Sequence, residues 1–264
     1  MALGIISGTG LYNLTLSNKS VPHQVKTPYG AVDLFKTLTP KGPVYFLPRH
    51  GLNHSIPPHL INYRANICAL ALLGVKDVLA FCSVGGMNKD LPVGSLILLE
   101  QFIDQTWGRE VTFAEIGAMG HVEMSRPYCP QLSGKVGKAA AKTGINLLGG
   151  GVYLCTQGPR FETPAEIKAY QKWGANIVGM TGVPEAPLAR ESGLCYASVG
   201  VVANYAAGLV EQIDVAEITA ATNLQQAVLA KLLDSFMADY TAEEGQCQCS
   251  SAKIAPCFNW TKEA

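Results

Sequence analysis

The chain alternates short, almost wholly apolar runs with longer stretches in which apolar residues recur every three or four positions. Leu3–Ile6, Val44–Leu47, Val78–Cys82, Leu96–Leu99, Val152–Cys155, Ile177–Met180 and Tyr196–Val202 are β-branched or aliphatic nearly throughout, the mark of strands buried on both faces. Helical periodicity predicts helices at about Asn62–Leu73, Gln131–Lys142, Ala165–Trp173, Glu185–Glu191 and Val215–Ala238, several closed by Gly74, Gly144, Gly174 or Gly193. In "CTQGPRFETPAEI", Thr163 is a helix N-cap, Pro164 suits the first helical position and Glu166 completes a capping box, so Glu162 sits just outside that helix. This alternation predicts an α/β fold with a mostly parallel or mixed sheet wrapped by helices. No linker divides the chain, so a single domain is expected over residues 1–240, followed by a cysteine-containing tail at 241–264.

Composition narrows the classes of function. Of 264 residues, 48% are hydrophobic and only 15% charged, which calls for a large core or for subunit contacts. The 20 Lys+Arg cancel the 20 Asp+Glu, and no basic stripe suggests a nucleic-acid partner. The longest apolar run, "ICALALLGV", is far below the ~20 residues of a membrane span, and "MALGIISGTG" lacks the features of a signal peptide. A cytoplasmic protein with no membrane partner is expected. Cys68, Cys82, Cys129, Cys155 and Cys195 are dispersed through apolar segments, as buried free thiols would be. Cys247, Cys249 and Cys257 lie in a polar tail and, with no nearby histidine, form an incomplete zinc set, so no metal site is expected.

In such folds the loops after the strands make the site. "SGTG" (Ser7–Gly10) lets backbone N–H groups approach an anion, and Thr9 adds a hydroxyl; Asn13 stands where a dinucleotide fingerprint would need its third glycine. "LPRHG" presents Arg49 and His50, a guanidinium fork beside an imidazole. "CSVGG" and "GMTGVPE" add Ser83 and Thr181 as hydroxyl donors. Four strand ends thus offer groups suited to an oxyanion.

Taken in order, "GIISGTGL", "RHGLNHSIPPHLINYRANICAL", "GPRFETPAEI" and "NIVGMTGVPEAPLARESGLCYASVGVVANY" resemble the trimeric purine nucleoside phosphorylase family, in its methylthioadenosine and methylthioinosine phosphorylase branch. The resemblance covers about residues 1–240. It implies a nucleoside phosphorylase-like fold with a mixed, partly closed sheet, a homotrimer with the active site near a subunit interface, and phosphorolysis of a purine nucleoside to free base and ribose 1-phosphate. No cofactor is implied, inorganic phosphate being a co-substrate. It places phosphate at Thr9, Arg49, His50, Cys82, Ser83 and Thr181, with Met180 against the ribose. Relatives usually carry Thr-Ala where this chain has Cys82-Ser83.

The resemblance also places Phe161, Glu162, Asn204, Tyr205 and Ala206 around the base, and His121, Val215 and Ile218 near the 5′ group. As catalytic residues it implies Asn204, Glu162 and His50. An amide at Asn204 can accept from a protonated N7 and donate to a 6-oxo group, while an ionised Glu162 accepts N1–H. Adenine, with an acceptor at N1 and a donor at C6, fits this pair badly. Adenosine-type members carry serine at the position of Glu162 and aspartates at those of Asn204 and Ala206. The reading is therefore a phosphorylase of 6-oxopurine nucleosides (5′-methylthioinosine, inosine or guanosine). The alternatives are a methylthioadenosine phosphorylase releasing adenine, a non-catalytic nucleoside- or phosphate-binding domain, and a Rossmann-type oxidoreductase, against which Asn13 argues.

Overall fold

Successive residues of the first strand, β1 (Ala2–Ser7), point into two different cores, and this explains its unbroken apolar run. Leu3 and Ile5 join one apolar cluster, Ala2 and Ile6 the other. The computed structural model describes residues 2–8, 20–114, 120–241 and 247–252; Thr9 and Cys257 lie outside them.

The other strands are β2 (Val21–Thr27), β3 (Gly30–Thr39), β4 (Gly42–Pro48), β5 (Val75–Gly86), β6 (Leu96–Gln105), β7 (Leu147–Thr156), β8 (Ile177–Gly179) and β9 (Cys195–Tyr205). The helices are α1 (Tyr63–Leu72), α2 (Pro130–Thr143), α3 (Pro164–Lys172), α4 (Gly182–Glu191) and α5 (Val215–Asp239). The nine strands among the described residues form one mixed sheet in the order β2-β3-β4-β1-β5-β8-β7-β6-β9. Because β9 also runs parallel to β5, the last five strands close on themselves, giving the partly closed sheet that the resemblance implies. One face packs Ile6, Leu47 and Val78 against α1 and α4; the other packs Leu3, Phe46 and Phe81 against α2 and α5. Among the described residues no helix is long and apolar enough to cross a membrane.

Each expected strand and helix is present. The β2–β3 hairpin is an addition, closed by the Thr27–Gly30 pair. Its first strand, "VPHQVKT", buries no residue and so carries no alternating apolar signal; in β3 only Val32 and Leu34 are fully buried. The described part of the tail packs onto the rest of the chain. Cys249 and Ala252 are buried against the body of the protein, and Cys247 and Cys249 meet Cys129 and Cys195.

Candidate active site

The ends of β1, β4, β5, β8 and β9 open into one cavity of about 500 Å³, with the first turns of α5 along its edge. Arg49, His50, Ser83, Met180, Thr181, Glu162 and Asn204 all line it, although they lie far apart along the chain. The sheet brings them together because β4, β1, β5 and β9 run parallel and place their C-terminal ends on one side, while the short β8 pairs antiparallel against the end of β5 and so delivers Met180 and Thr181 to the same place.

Arg49 and His50 follow the last residue of β4. Arg49 is almost fully buried, and its charge is balanced by Glu185 of α4, which accepts from Nε at 2.7 Å and from Nη2 at 2.7 Å. Tyr196 adds a hydroxyl to the same carboxylate at 2.6 Å, and Arg49 Nη1 donates to the carbonyl of Phe81 at 2.8 Å. Burial lowers the guanidinium pKa, but the Glu185 carboxylate outweighs it and holds the pKa well above the ordinary value. A guanidinium has five N–H donors, of which three are engaged here, so the fork that the sequence aims at an anion is instead closed on Glu185. Two N–H groups remain. Glycine is required nearby: a Cβ on Gly8 would lie 2.9 Å from the Phe81 carbonyl and 3.0 Å from Arg49 Nη1. The backbone after β1 therefore comes directly over the guanidinium.

His50 Nδ1 sits 2.8 Å from the Ile56 carbonyl, which can only accept, so Nδ1 carries the proton. Burial, with Arg49 adding to it, lowers the His50 pKa from 6.5 to about 4. The ring is neutral at pH 7 and packs against His54, another cavity residue, with centroids 4.7 Å apart and the rings tilted by 50°.

Strand pleating divides Cys82 from Ser83. Ser83 faces the cavity, whereas the Cys82 thiol turns to β9, 3.8 Å from Ser198 Oγ and 3.9 Å from the Val199 carbonyl. The Cys82 thiol is thus engaged with β9, although Cys82 also lines the cavity. Thr181 precedes α4, and its hydroxyl makes no capping bond; Tyr153 Oη instead accepts from the N–H groups of Thr181 (3.0 Å) and Gly182 (3.2 Å).

The loop between β7 and α3 brings Phe161 and Glu162 over Met180. Gly158 makes this possible: its φ is +61°, and a Cβ there would lie 2.6 Å from Met180 Sδ. Arg109 clips the same loop by donating to the Gln157 carbonyl at 2.7 Å and the Val183 carbonyl at 2.5 Å. The capping box at Thr163 and Glu166 is present in both directions. Glu162 is not a solvated residue beside it. It is buried, and Oε1 accepts from Thr156 Oγ1 at 2.6 Å. Desolvation raises its pKa, opposed by the Thr156 hydrogen bond.

Asn204 lies opposite Gly85 in the β5–β9 ladder, and its Nδ2 donates to the Tyr205 carbonyl at 2.8 Å. One Nδ2 hydrogen and Oδ1 remain for a ligand. Tyr205 and Ala206, expected around the base, do not line the cavity: Ala206 turns under Gly86, donating to its carbonyl at 2.9 Å, and packs with Met87 and Val178. His121 is exposed and also outside the cavity. Val215 and Ile218 do line it, on the first turns of α5, with Thr219 and Asn223. The Thr219 hydroxyl donates to the Val215 carbonyl, and Asn223 Oδ1 accepts from Gln226.

Glu185, Tyr196, Thr156, Arg109 and His54 were not anticipated as site residues. Glu185 had a signal, a lone carboxylate within the apolar "GVPEAPLA", since a charge buried there needs a partner. The others had none.

A family model described as "Phosphorylase superfamily" matches residues 2–238. The chain is 46% identical over 214 residues to a 6-oxopurine nucleoside phosphorylase of Pyrococcus furiosus, covering 78% of this chain and 80% of the relative. It is 44% identical over 247 residues to a "Probable S-methyl-5'-thioinosine phosphorylase" of Xanthomonas campestris pv. campestris, covering 88% and 96%. Among solved structures, methylthioadenosine phosphorylase from Schistosoma mansoni in complex with adenine superposes with a TM-score of 0.85 at 32% identity, over 90% of each chain.

Proposed function

The chain belongs to the phosphorylase superfamily, and from this premise we propose that its cavity carries out phosphorolysis of 6-oxopurine nucleosides, with a 5′-methylthio substituent preferred over a hydroxyl. The observation that carries the base preference is the presence in one cavity of Asn204 and a buried Glu162.

In this reading phosphate lies among the Gly8 backbone, Ser83, Thr181, His50 and the remaining N–H groups of Arg49. The Ile56 carbonyl fixes the ring of a neutral His50 at the edge of this anion pocket. One phosphate oxygen attacks C1′ as the C1′–N9 bond breaks, and the dianion stabilises the positive charge that develops on the sugar. The bonding pair spreads into the purine, whose N7 takes a proton from solvent; Asn204 Oδ1 then accepts N7–H and Nδ2 donates to O6. Glu162 accepts N1–H. Its second contact, Thr156, holds the carboxylate in place without neutralising it. Adenine would set its N1 lone pair against Glu162 and its amino group against the Asn204 NH₂. One such mismatch is worth about 1–3 kcal/mol, roughly 5- to 150-fold.

The 5′ end would meet Val215 and Ile218. Thr219 and Asn223 line the same edge, but the Thr219 hydrogen and the Asn223 oxygen already have partners on α5, which favours an apolar substituent. Phe161 (39% exposed) and Val215 (61%) stand at the open mouth, suited to cover by another subunit of a homotrimer.

The test is kcat/KM for methylthioinosine, inosine, methylthioadenosine and adenosine, with and without phosphate, in wild type and Asn204→Asp. The 6-oxo substrates should lead in wild type, and the substitution should shift the ratio toward 6-amino substrates. Equal base release without phosphate would make the protein a hydrolase. A wild-type preference for 6-amino substrates that Asn204→Asp leaves unchanged would refute the base reading.

A further inference from the structure

The cysteines supply a second site. Cys129 is the N-cap residue of α2, Cys195 opens β9, and Cys247 and Cys249 belong to the tail. The backbone N–H of Cys129 donates to the Tyr196 carbonyl at 2.7 Å, which seats the start of α2 beside the start of β9. The tail crosses the same corner: Ser250 Cα lies 3.4 Å from the Cβ position of Gly193, and the Glu123 N–H donates to the Ala252 carbonyl at 3.4 Å. As a result four Sγ atoms from three separate segments lie within 4.8 Å of one another, with Cys195 and Cys247 at 3.3 Å. A tetrahedral zinc tetrathiolate, with Zn–S of about 2.3 Å, has sulfur–sulfur edges of about 3.8 Å.

Two donors are already aimed at these sulfurs. The Leu132 N–H, in the first turn of α2, points at Cys129 Sγ from 3.5 Å, and Arg190 Nη1 points at Cys249 Sγ from 3.2 Å. Four thiolates around one divalent cation carry a net double negative charge. A guanidinium and a helix N-terminal N–H are the partners that such a group requires. Arg190 is itself held by Glu123 through Nη2 at 3.2 Å.

We propose that Cys129, Cys195, Cys247 and Cys249 form a closed structural zinc site that fastens the C-terminal tail to the start of β9. Four protein ligands leave no open position, so the ion is not a catalyst. Cys195 and Asn204 stand nine residues apart on β9, about 30 Å at 3.3 Å per residue, which keeps the ion away from the purine end of the cavity. Each thiol that binds loses its proton to solvent, no oxidation is involved, and zinc remains divalent.

The experiment uses the full chain, reduced with a phosphine, supplied with Zn²⁺ alone and freed of excess metal by gel filtration. About one zinc per chain is expected by elemental analysis. Co²⁺ in its place should give the visible spectrum of a tetrahedral tetrathiolate. Cys247→Ser with Cys249→Ser, both in the tail, should lose most of the metal, whereas Cys68→Ala, elsewhere in the core, should keep it. A chelator should lower the Tm of wild type and not that of the double variant, with kcat unchanged in both. The proposal is overturned if the reduced wild type retains no stoichiometric zinc or if the double variant retains as much as wild type. It is also overturned if the untreated protein has a mass lower by the four hydrogens that two disulfides would remove.

Discussion

Replacing Glu185 by Gln keeps the shape of the side chain but removes the charge that balances Arg49. Both partners are buried, with side-chain exposures of 1% each, and they share two hydrogen bonds of 2.7 Å. Removing one partner of such a pair costs about 3–5 kcal/mol, because the other charge stays desolvated without compensation. Gln can still accept once, so the low end, about 3 kcal/mol, is expected. At roughly 2.1 cal/mol/K per residue, 264 residues give an unfolding entropy of about 0.55 kcal/mol/K, so Tm should fall by about 5 °C. If Arg49 also contacts phosphate, loss of its anchor should raise the phosphate KM about tenfold or more while the nucleoside KM changes little. Arg49→Met with Glu185→Leu and Tyr196→Phe separates the two roles. It removes the buried charges and the hydroxyl together, so it should recover much of the lost Tm without recovering phosphate affinity. The assays are calorimetry and initial rates at varied phosphate. An unchanged Tm and phosphate KM in Glu185→Gln, or a triple variant with normal phosphate affinity, would refute this account of Arg49.

Two pH effects follow from the same cavity. His50 has its pKa lowered in the folded state to about 4 from 6.5, so its stabilising effect is complete above pH 6.5 and is lost as pH falls toward 4; Tm in His50→Gln should decline less over that window than in wild type, and equal slopes would exclude His50 as the cause. Thr156→Val removes the hydrogen bond that opposes the desolvation of Glu162, so the Glu162 pKa should rise further and the acid limb of kcat/KM for inosine should move to higher pH. A pH profile superimposable on that of wild type would mean that ionised Glu162 is not required.

Local chemistry was legible in the sequence wherever neighbours in the chain act on one another. The capping box at Thr163 needs only Thr163 and Glu166, and it forms as expected. The continuous apolar runs announce strands buried on both faces because a strand between two cores has no polar side to show. The glycines of "SGTG" likewise mark a place where backbone must come close to another group, and Gly8 does so. What required the fold was pairing at long range. Whether the Arg49 fork faces an anion or a carboxylate depends on α4, 136 residues away, and burial then settles the matter by making an unpaired charge too costly. Cys82 and Ser83 are indistinguishable as sequence neighbours, yet the pleat turns one hydroxyl into the cavity and one thiol into β9. The cysteines show the limit most plainly. Spacing along the chain divided them into buried thiols and an incomplete tail set, because ligands held by three separate segments have no common period, and only the packing of α2, β9 and the tail brings four sulfurs to one point.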